Sequence, residues 1–147
     1  MVENNMPPAG KKEINKYIAE LKKRAETEPV LKFFGMLLED ISPGFARVSM
    51  QVKPEYVNFH GVIFGGVIMA LADQAFGYGA NSVALPSYAA QFNTNIIAGA
   101  AVGDVLAAEC TVLRSGRRAG FSEIRVTDQA GKLIAVATGV AIPMPKA

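Results

Sequence analysis

Cysteine and histidine are nearly absent from this sequence, which contains one of each, Cys110 and His60. A single cysteine excludes a disulfide within the chain and fits a reducing compartment. The N-terminus is polar and has no apolar signal core, so we expect a cytoplasmic protein. Clusters of cysteine or of histidine ligands are excluded as well. We therefore expect no metal site and no bound cofactor.

Charge is also sparse, because only 19% of the residues are charged and the net charge is +2 at pH 7. This net positive charge is too small to indicate a nucleic-acid partner. Residues 62–80 are apolar except for Asp73 and Gln74. A carboxylate in mid-span argues against a membrane helix, so we expect a buried helix and no membrane partner. Half of all residues are hydrophobic, and part of this surface could be buried between subunits.

The hydrophobic pattern predicts one domain preceded by a short N-terminal region. Residues 1–28 are expected to form a disordered lead, over 1–10, and an amphipathic helix, over 11–26. Residues 29–147 are expected to form the domain itself. It contains a short helical turn at 30–34, one long helix at 65–81 and six strands, at 36–41, 45–53, 88–97, 104–113, 119–127 and 132–142.

The predicted helix at 65–81 is apolar on nearly every side, so it must be wrapped by other elements. A curved antiparallel sheet folded around this central helix is the simplest solution. The sequence therefore predicts an α+β protein with an extra N-terminal helix.

Asp73 is the only aspartate, glutamate, lysine or arginine between residues 56 and 103. A carboxylate in such surroundings is costly unless it is hydrogen-bonded, paired or facing a cavity. Apolar neighbours should raise its pKa and make it a usable base or nucleophile. The alternative is a structural aspartate that bonds backbone groups or faces water at a subunit contact.

Two glycines, Gly65 and Gly66, begin the same predicted helix. They leave backbone N–H groups uncovered at its positive end, which suits the polarisation of a carbonyl, although a tight loop would also explain them. Gly65 and Asp73 are eight residues apart, about 12 Å along a helix. One carbonyl cannot reach both, but two antiparallel helices across a twofold axis would bring one Gly65 to the other Asp73.

Other polar positions have two interpretations each. Asn58 and His60 lie in the loop before the helix and could bind substrate or simply shape the loop. The Arg114–Arg118 segment, with three arginines, could grip phosphates or form a solvated hairpin end.

Four segments together resemble the PaaI-like hotdog acyl-CoA thioesterases, and the resemblance covers residues 30–143. The main segment is NFHGVIFGGVIMALADQAFGYGAN at 58–81. The others are NTNIIAGAAVGD at 93–104, SGRRAGF at 115–121 and DQAGKLIAVATG at 128–139. This resemblance implies the hotdog fold, a homodimer and a homotetramer built as a dimer of dimers.

The resemblance also assigns roles. Asp73 falls on the catalytic carboxylate, nucleophile or base, Gly65 on the glycine that polarises the thioester carbonyl, and Asn58 on a residue that places substrate or water. In that family the glycine and the carboxylate come from different subunits. The implied substrate-binding residues are His60, Phe64, Gly66, Ile68, Phe76, Gly116, Arg117 and Arg118.

We therefore expect hydrolysis of a short- or medium-chain or aryl acyl-CoA, with coenzyme A entering only as part of the substrate. Two departures are visible: Phe64 stands where the family usually has histidine, and Ala89 or Ala90 where some relatives have serine or threonine. Two alternatives stay open. One is a non-catalytic acyl-CoA-binding module, and the other is an acyl-thioester hydratase or dehydratase that pairs His60 with Asp73.

Overall fold

The computed structural model describes residues 10–145 of the chain. Apart from Gly10, the predicted disordered lead lies outside the described residues. Three helices are present, α1 (Lys11–Ala25), α2 (Pro29–Phe34) and α3 (Gly65–Asn81), together with a short 3-10 turn at Pro54–Tyr56. The strands are β1 (Met36–Ser42), β2 (Phe45–Gln51), β3 (Ser87–Ile96), β4 (Val105–Ser115), β5 (Gly120–Thr127) and β6 (Leu133–Pro143).

The six strands form one antiparallel sheet in the order β1-β2-β4-β5-β6-β3. Bulges interrupt the register, for example between Ala89 and Gln91 and between Val112 and Arg114, and such bulges bend and twist a strand. The sheet curves around α3, so the predicted hotdog architecture is confirmed. Strands β1 and β3 are its two edges within the described part of the chain.

The core lies between α3 and the concave face of the sheet. Strand β2 alternates as predicted, because Ala46, Val48 and Met50 are at most 2% exposed. They face α3, which packs mainly on β2, β4 and β5. Burial of these side chains contributes about 25 cal/mol for each Å² of apolar surface removed from water.

Helix α3 is buried on most of its circumference but not on all of it. Met69, Asp73 and Gly77 are exposed, and their spacing of four residues places them on one stripe. Sequence reasoning expected this helix to be wrapped. The sheet and the α1–α2 connection cover most of its other sides and leave this stripe open.

The N-terminal helices pack on the domain. Leu21 of α1 and Leu31 of α2 are 7% and 4% exposed and belong to the same core cluster as α3. The connection between α1 and α2 passes beside α3. Among residues 10–145, no helix is long and apolar enough to span a membrane.

Candidate active site

The start of α3 leaves backbone donors without partners. Phe64 is the N-cap residue, and its side chain makes no capping hydrogen bond. In the described chain no backbone carbonyl accepts from the N–H of Gly65 or of Gly66, whereas the Val67 N–H donates to the Phe64 carbonyl at 2.9 Å. The first turn therefore presents two free donors and the positive end of the helix dipole.

This turn is held in place by backbone contacts on either side. The Phe64 N–H donates to the Tyr56 carbonyl at 2.7 Å, and the Ile63 N–H donates to the Ala100 carbonyl at 3.0 Å. Gly65 lies so close to the end of β3 that an added Cβ would be 2.8 Å from Ile96 Cδ1. The free donors are consequently fixed relative to the sheet.

Asp73 lies two turns further along α3, on the open stripe. Its side chain has no hydrogen bond or ion pair with any residue between 10 and 145. Partial burial among neighbouring atoms raises the pKa of the Asp73 carboxyl above its ordinary value. An unpaired carboxylate with a raised pKa is suited to act as a base or as a nucleophile.

Asp73 lines a cleft of about 520 Å³. Phe76 and Ala80 of α3, Tyr88 of β3 and Ala141 of β6 form one side of this cleft. The other side comes from α1 and the connection to α2, including Leu21 and Thr27. A cleft that combines apolar walls with several polar groups, among them the Asp73 carboxylate, is the arrangement expected of a small-molecule site.

A second carboxylate in this cleft, Glu28, went unnoticed in the sequence. Glu28 accepts a hydrogen bond from Gln74 Nε2 at 2.5 Å and another from the Tyr78 hydroxyl. Burial, and then the bond to Glu28, raise the pKa of Tyr78. The partners are 46 and 50 residues apart in sequence, so no local pattern could have shown this cluster.

Asn81 shapes the far end of the cleft. Its Nδ2 donates to the Gly77 and Ser87 carbonyls at 2.9 and 3.1 Å, and its Oδ1 accepts from the Ser87 N–H at 2.7 Å. These bonds tie the end of α3 to the start of β3. The signal in the sequence was an asparagine at the end of a helix.

The loop residues Asn58 and His60 are bound to each other. Asn58 Oδ1 accepts from the His60 N–H at 2.9 Å, and the Asn58 carbonyl accepts from the Gly61 N–H at the same distance. The exposed His60 ring contacts the Phe59 ring, with 4.1 Å between centroids. In the single chain these residues shape a turn, and neither lines the Asp73 cleft.

The arginine-rich segment forms the β4–β5 hairpin, where the Gly116 N–H donates to the Ala119 carbonyl at 2.9 Å. Arg117 and Arg118 are exposed. With Gly116 they line a separate surface cleft of about 530 Å³. The hairpin adjoins the C-terminal end of α3, so it lies at the opposite end of that helix from Gly65.

One chain thus brings together only some of the predicted site residues. Asp73 and Phe76 line the same cleft, whereas Phe64, Gly65 and Gly66 lie at the start of the helix. Ile68 is 1% exposed and packs in the core rather than in the cleft. No group of three or more possible metal ligands occurs within residues 10–145.

An antiparallel sheet curved around one central helix, with these donors and this carboxylate on the helix, defines a hotdog-fold protein. The thioesterase superfamily matches residues 60–135, which is 76 of the 147 residues. The chain belongs to this superfamily and is a thioester hydrolase. The resemblance to the PaaI-like thioesterases is confirmed.

Individual relatives agree. The acyl-coenzyme A thioesterase PaaI of Escherichia coli (strain K12) is 31% identical over 114 residues, 78% of this chain and 81% of the relative. A putative esterase of Archaeoglobus fulgidus is 34% identical over 100 residues, 68% of this chain and 65% of the relative. The solved structure of the E. coli PaaI protein matches with a TM-score of 0.85 at 27% identity, covering 89% of this chain and 95% of that one.

Proposed function

We propose that this protein hydrolyses acyl-CoA thioesters at sites formed between two copies of the chain. The observation that carries this proposal is the arrangement on α3. Free N–H donors at Gly65 begin the helix, and the unpaired Asp73 carboxylate lies two turns later. The similarity to an acyl-coenzyme A thioesterase supports the substrate class.

Two copies are needed because Gly65 and Asp73 are about 12 Å apart along one helix axis. If two α3 helices pack antiparallel across a twofold axis, the Gly65 end of one meets Asp73 of the other. The open stripe of α3 and the unpaired edge of β3 offer the surface for such a contact. Large apolar side chains are exposed around it: Phe64 58%, Met69 41%, Tyr88 62% and Ile96 48%. Pairing of such dimers into a homotetramer is part of the same proposal.

The chemistry follows from the two groups. The Gly65 N–H donates to the thioester carbonyl oxygen and stabilises the negative charge that grows there during attack. Asp73 of the other subunit either attacks the carbonyl carbon or takes a proton from the water that attacks it. The C–S bond then breaks, and coenzyme A leaves as a thiolate that takes up a proton. When water is the attacking group, the product is the carboxylic acid directly. When Asp73 is the attacking group, an acyl anhydride forms on Asp73, and a water molecule then hydrolyses it to the carboxylic acid and regenerates the Asp73 carboxylate. Asn58, in the preceding loop, places the substrate or the water.

The acyl group occupies the cleft beside Asp73, where Phe76 is part of the apolar wall. Its volume of about 520 Å³ suits a short- or medium-chain or an aryl acyl group. Phe64, Gly66 and His60 of the second subunit contribute at the mouth of the cleft, and Ile68 supports the helix from within the core. The phosphates of coenzyme A contact the Gly116–Arg118 hairpin, where guanidinium groups are free to bind them.

A thiol-release assay across a panel of acyl-CoAs tests this proposal. Asp73→Asn and Asp73→Ala should each lower kcat by at least about 100-fold, since the carboxylate acts on the reacting atoms. Asp40→Asn, which alters an exposed carboxylate on β1, is the matched control and should behave as the parent. Thermal melting of each variant verifies folding. Unchanged release in both Asp73 variants would refute the assignment, and binding without release would favour a non-catalytic acyl-CoA-binding module.

A further inference from the structure

One side of the Asp73 cleft is built by residues that precede the superfamily match at 60–135. We call residues 11–34, which form α1, α2 and their connection, the N-terminal wall. Its contribution to the cleft includes Leu21, Thr27, Glu28 and Pro29. The other side consists of α3, β3 and β6, which are held by the core and by the ladder of the sheet.

The N-terminal wall is attached to α3 by few groups. Its buried residues are Ile14 and Leu21 of α1 and Leu31 of α2, and the Tyr56 hydroxyl donates to the Phe34 carbonyl at 2.7 Å. Glu28 adds a polar attachment, because its two carboxylate oxygens accept hydrogen bonds from Gln74 and Tyr78, which are one turn apart on α3. Gln74 follows Asp73 directly, so this attachment fixes the wall next to the carboxylate.

Tyr78 remains a hydrogen-bond donor to Glu28 at neutral pH. Tyr78 is 4% exposed, and burial followed by the Glu28 bond raises the pKa of Tyr78, so its hydroxyl keeps its proton and donates. Glu28 is half-buried, so its hydrogen bonds to Gln74 and Tyr78 are partly shielded from water. Without Glu28, Gln74 and Tyr78 would lose their shared partner across the cleft, and the wall would lose both of these hydrogen bonds to α3.

We propose that the N-terminal wall sets the size of the acyl group that the cleft accepts, and that Glu28 is the positioning residue that holds the wall against α3. This inference rests on the proposed function. The rigid side of the cleft cannot yield, since Phe76 is 1% exposed and packs against the sheet. The position of the wall therefore determines the room left for the acyl chain, and displacing the wall should admit longer chains.

The test measures kcat/KM for straight-chain acyl-CoAs from acetyl to dodecanoyl. Glu28→Ala and Tyr78→Phe should shift the preference toward longer chains by about 10-fold, mainly through KM, which is the scale of discrimination a pocket gives to chain length. Glu28→Gln keeps an oxygen that accepts from Tyr78 and should restore most of the parental profile. Glu26→Ala removes an exposed carboxylate of the same connection that does not line the cleft, and should leave the profile unchanged.

Two results would overturn this inference and leave the proposed function standing. One is an active parent whose chain-length preference is the same as that of Glu28→Ala and Tyr78→Phe. The other is a shift of chain-length preference in Glu26→Ala equal to that in Glu28→Ala. A parent that releases no thiol from any acyl-CoA overturns the proposed function together with the inference. If Glu28→Ala fails to fold, Tyr78→Phe decides, because it removes one hydroxyl from α3 and leaves the packing of the ring intact.

Discussion

The Phe64 ring lies against the backbone of Gly66, where an added Cβ would come within 2.5 Å of Phe64 Cε1. Phe64 is 58% exposed, so its ring can swing aside when Gly66 becomes alanine. We predict that Gly66→Ala changes the free energy of unfolding by less than about 0.5 kcal/mol. Because the ring leaves the start of α3, kcat/KM should fall by about 3- to 10-fold. Steady-state kinetics and denaturant unfolding measure the two effects, and parental kinetics would show that the ring is no part of the site.

At Gly139, in contrast to Gly66, an added Cβ would meet an aromatic ring that is buried and cannot move aside. A Cβ at Gly139 would lie 2.6 Å from Phe76 Cζ, and Phe76 is 1% exposed with its ring stacked near Phe92. This ring has nowhere to go, so Gly139→Ala should lower the free energy of unfolding by about 1–3 kcal/mol. Denaturant unfolding checks the value, with Gly131→Asn as a control in an exposed turn where glycine adopts a φ of +83° that asparagine tolerates. A stability equal to that of the parent would mean that the Phe76 packing is loose.

The raised pKa of Asp73 makes activity depend on pH. The carboxylate form is required, so kcat/KM should fall as the pH drops through a pKa higher than that of an ordinary aspartate. A pH–rate profile measures the pH at which kcat/KM falls on the acidic side. An acidic fall with an apparent pKa at or below that of an ordinary aspartate would contradict the argument that burial raises the pKa of Asp73.

The same shift has a consequence for stability. A carboxyl group whose pKa is higher in the folded chain favours folding below its unfolded pKa, and this contribution is lost as the pH rises through the folded value. Ionised Asp73 therefore opposes folding at neutral pH. Asp73→Asn should melt at most about 3 °C above the parent there, given the exposure of the group, and the gap should close in acid. Melting curves across pH test this, and a gap that widens in acid would contradict it.

The hairpin arginines should contribute to binding of the coenzyme A part of the substrate and not to binding of the acyl group. Replacing Arg117 and Arg118 together by alanine should raise KM for an acyl-CoA by about 10-fold, because charge-assisted contacts to phosphate are lost. KM for the same acyl group on pantetheine, which lacks the nucleotide, should stay constant. Arg125→Ala, an exposed arginine on β5 outside this cleft, is the control. An equal rise in KM for both substrates would mean that the two arginines do not act by binding the nucleotide of coenzyme A.

The sequence was sufficient for the fold because its patterns are local. The alternation in β2 and the uninterrupted apolar run of α3 each match one element, and the predicted helix bounds agree with Gly65–Asn81. Strand ends were less well placed. β4 continues to Ser115, which pairs with Gly120, although the hairpin signal suggested an end at 113.

The site was harder to predict. On a helix that is apolar on nearly every side, the hydrophobic pattern does not indicate which side faces the core and which side faces the cleft. The resemblance places Ile68 among the substrate-binding residues; in the single chain Ile68 packs in the core, and Met69 is the exposed neighbour. Positions four residues before and after Asp73 would have marked the open stripe correctly. The cluster around Glu28 depends on contacts between distant segments, and only the folded chain shows it.

The central claim is that each site takes Gly65 from one subunit and Asp73 from the other. Gly65→Pro removes the polarising N–H, and proline suits the first residue of a helix that follows Phe64 at ψ 131°. Gly65→Ala keeps the N–H and controls for bulk near Ile96. Each of Gly65→Pro and Asp73→Asn should be inactive as a homodimer.

The most direct measurement is the activity of purified heterodimers that carry Gly65→Pro in one tagged chain and Asp73→Asn in the other. A site shared between subunits leaves one of the two sites intact, so these heterodimers should recover about half of the parental kcat. Activity no higher than that of the two inactive homodimers would contradict the account, because both residues would then serve a site within one chain.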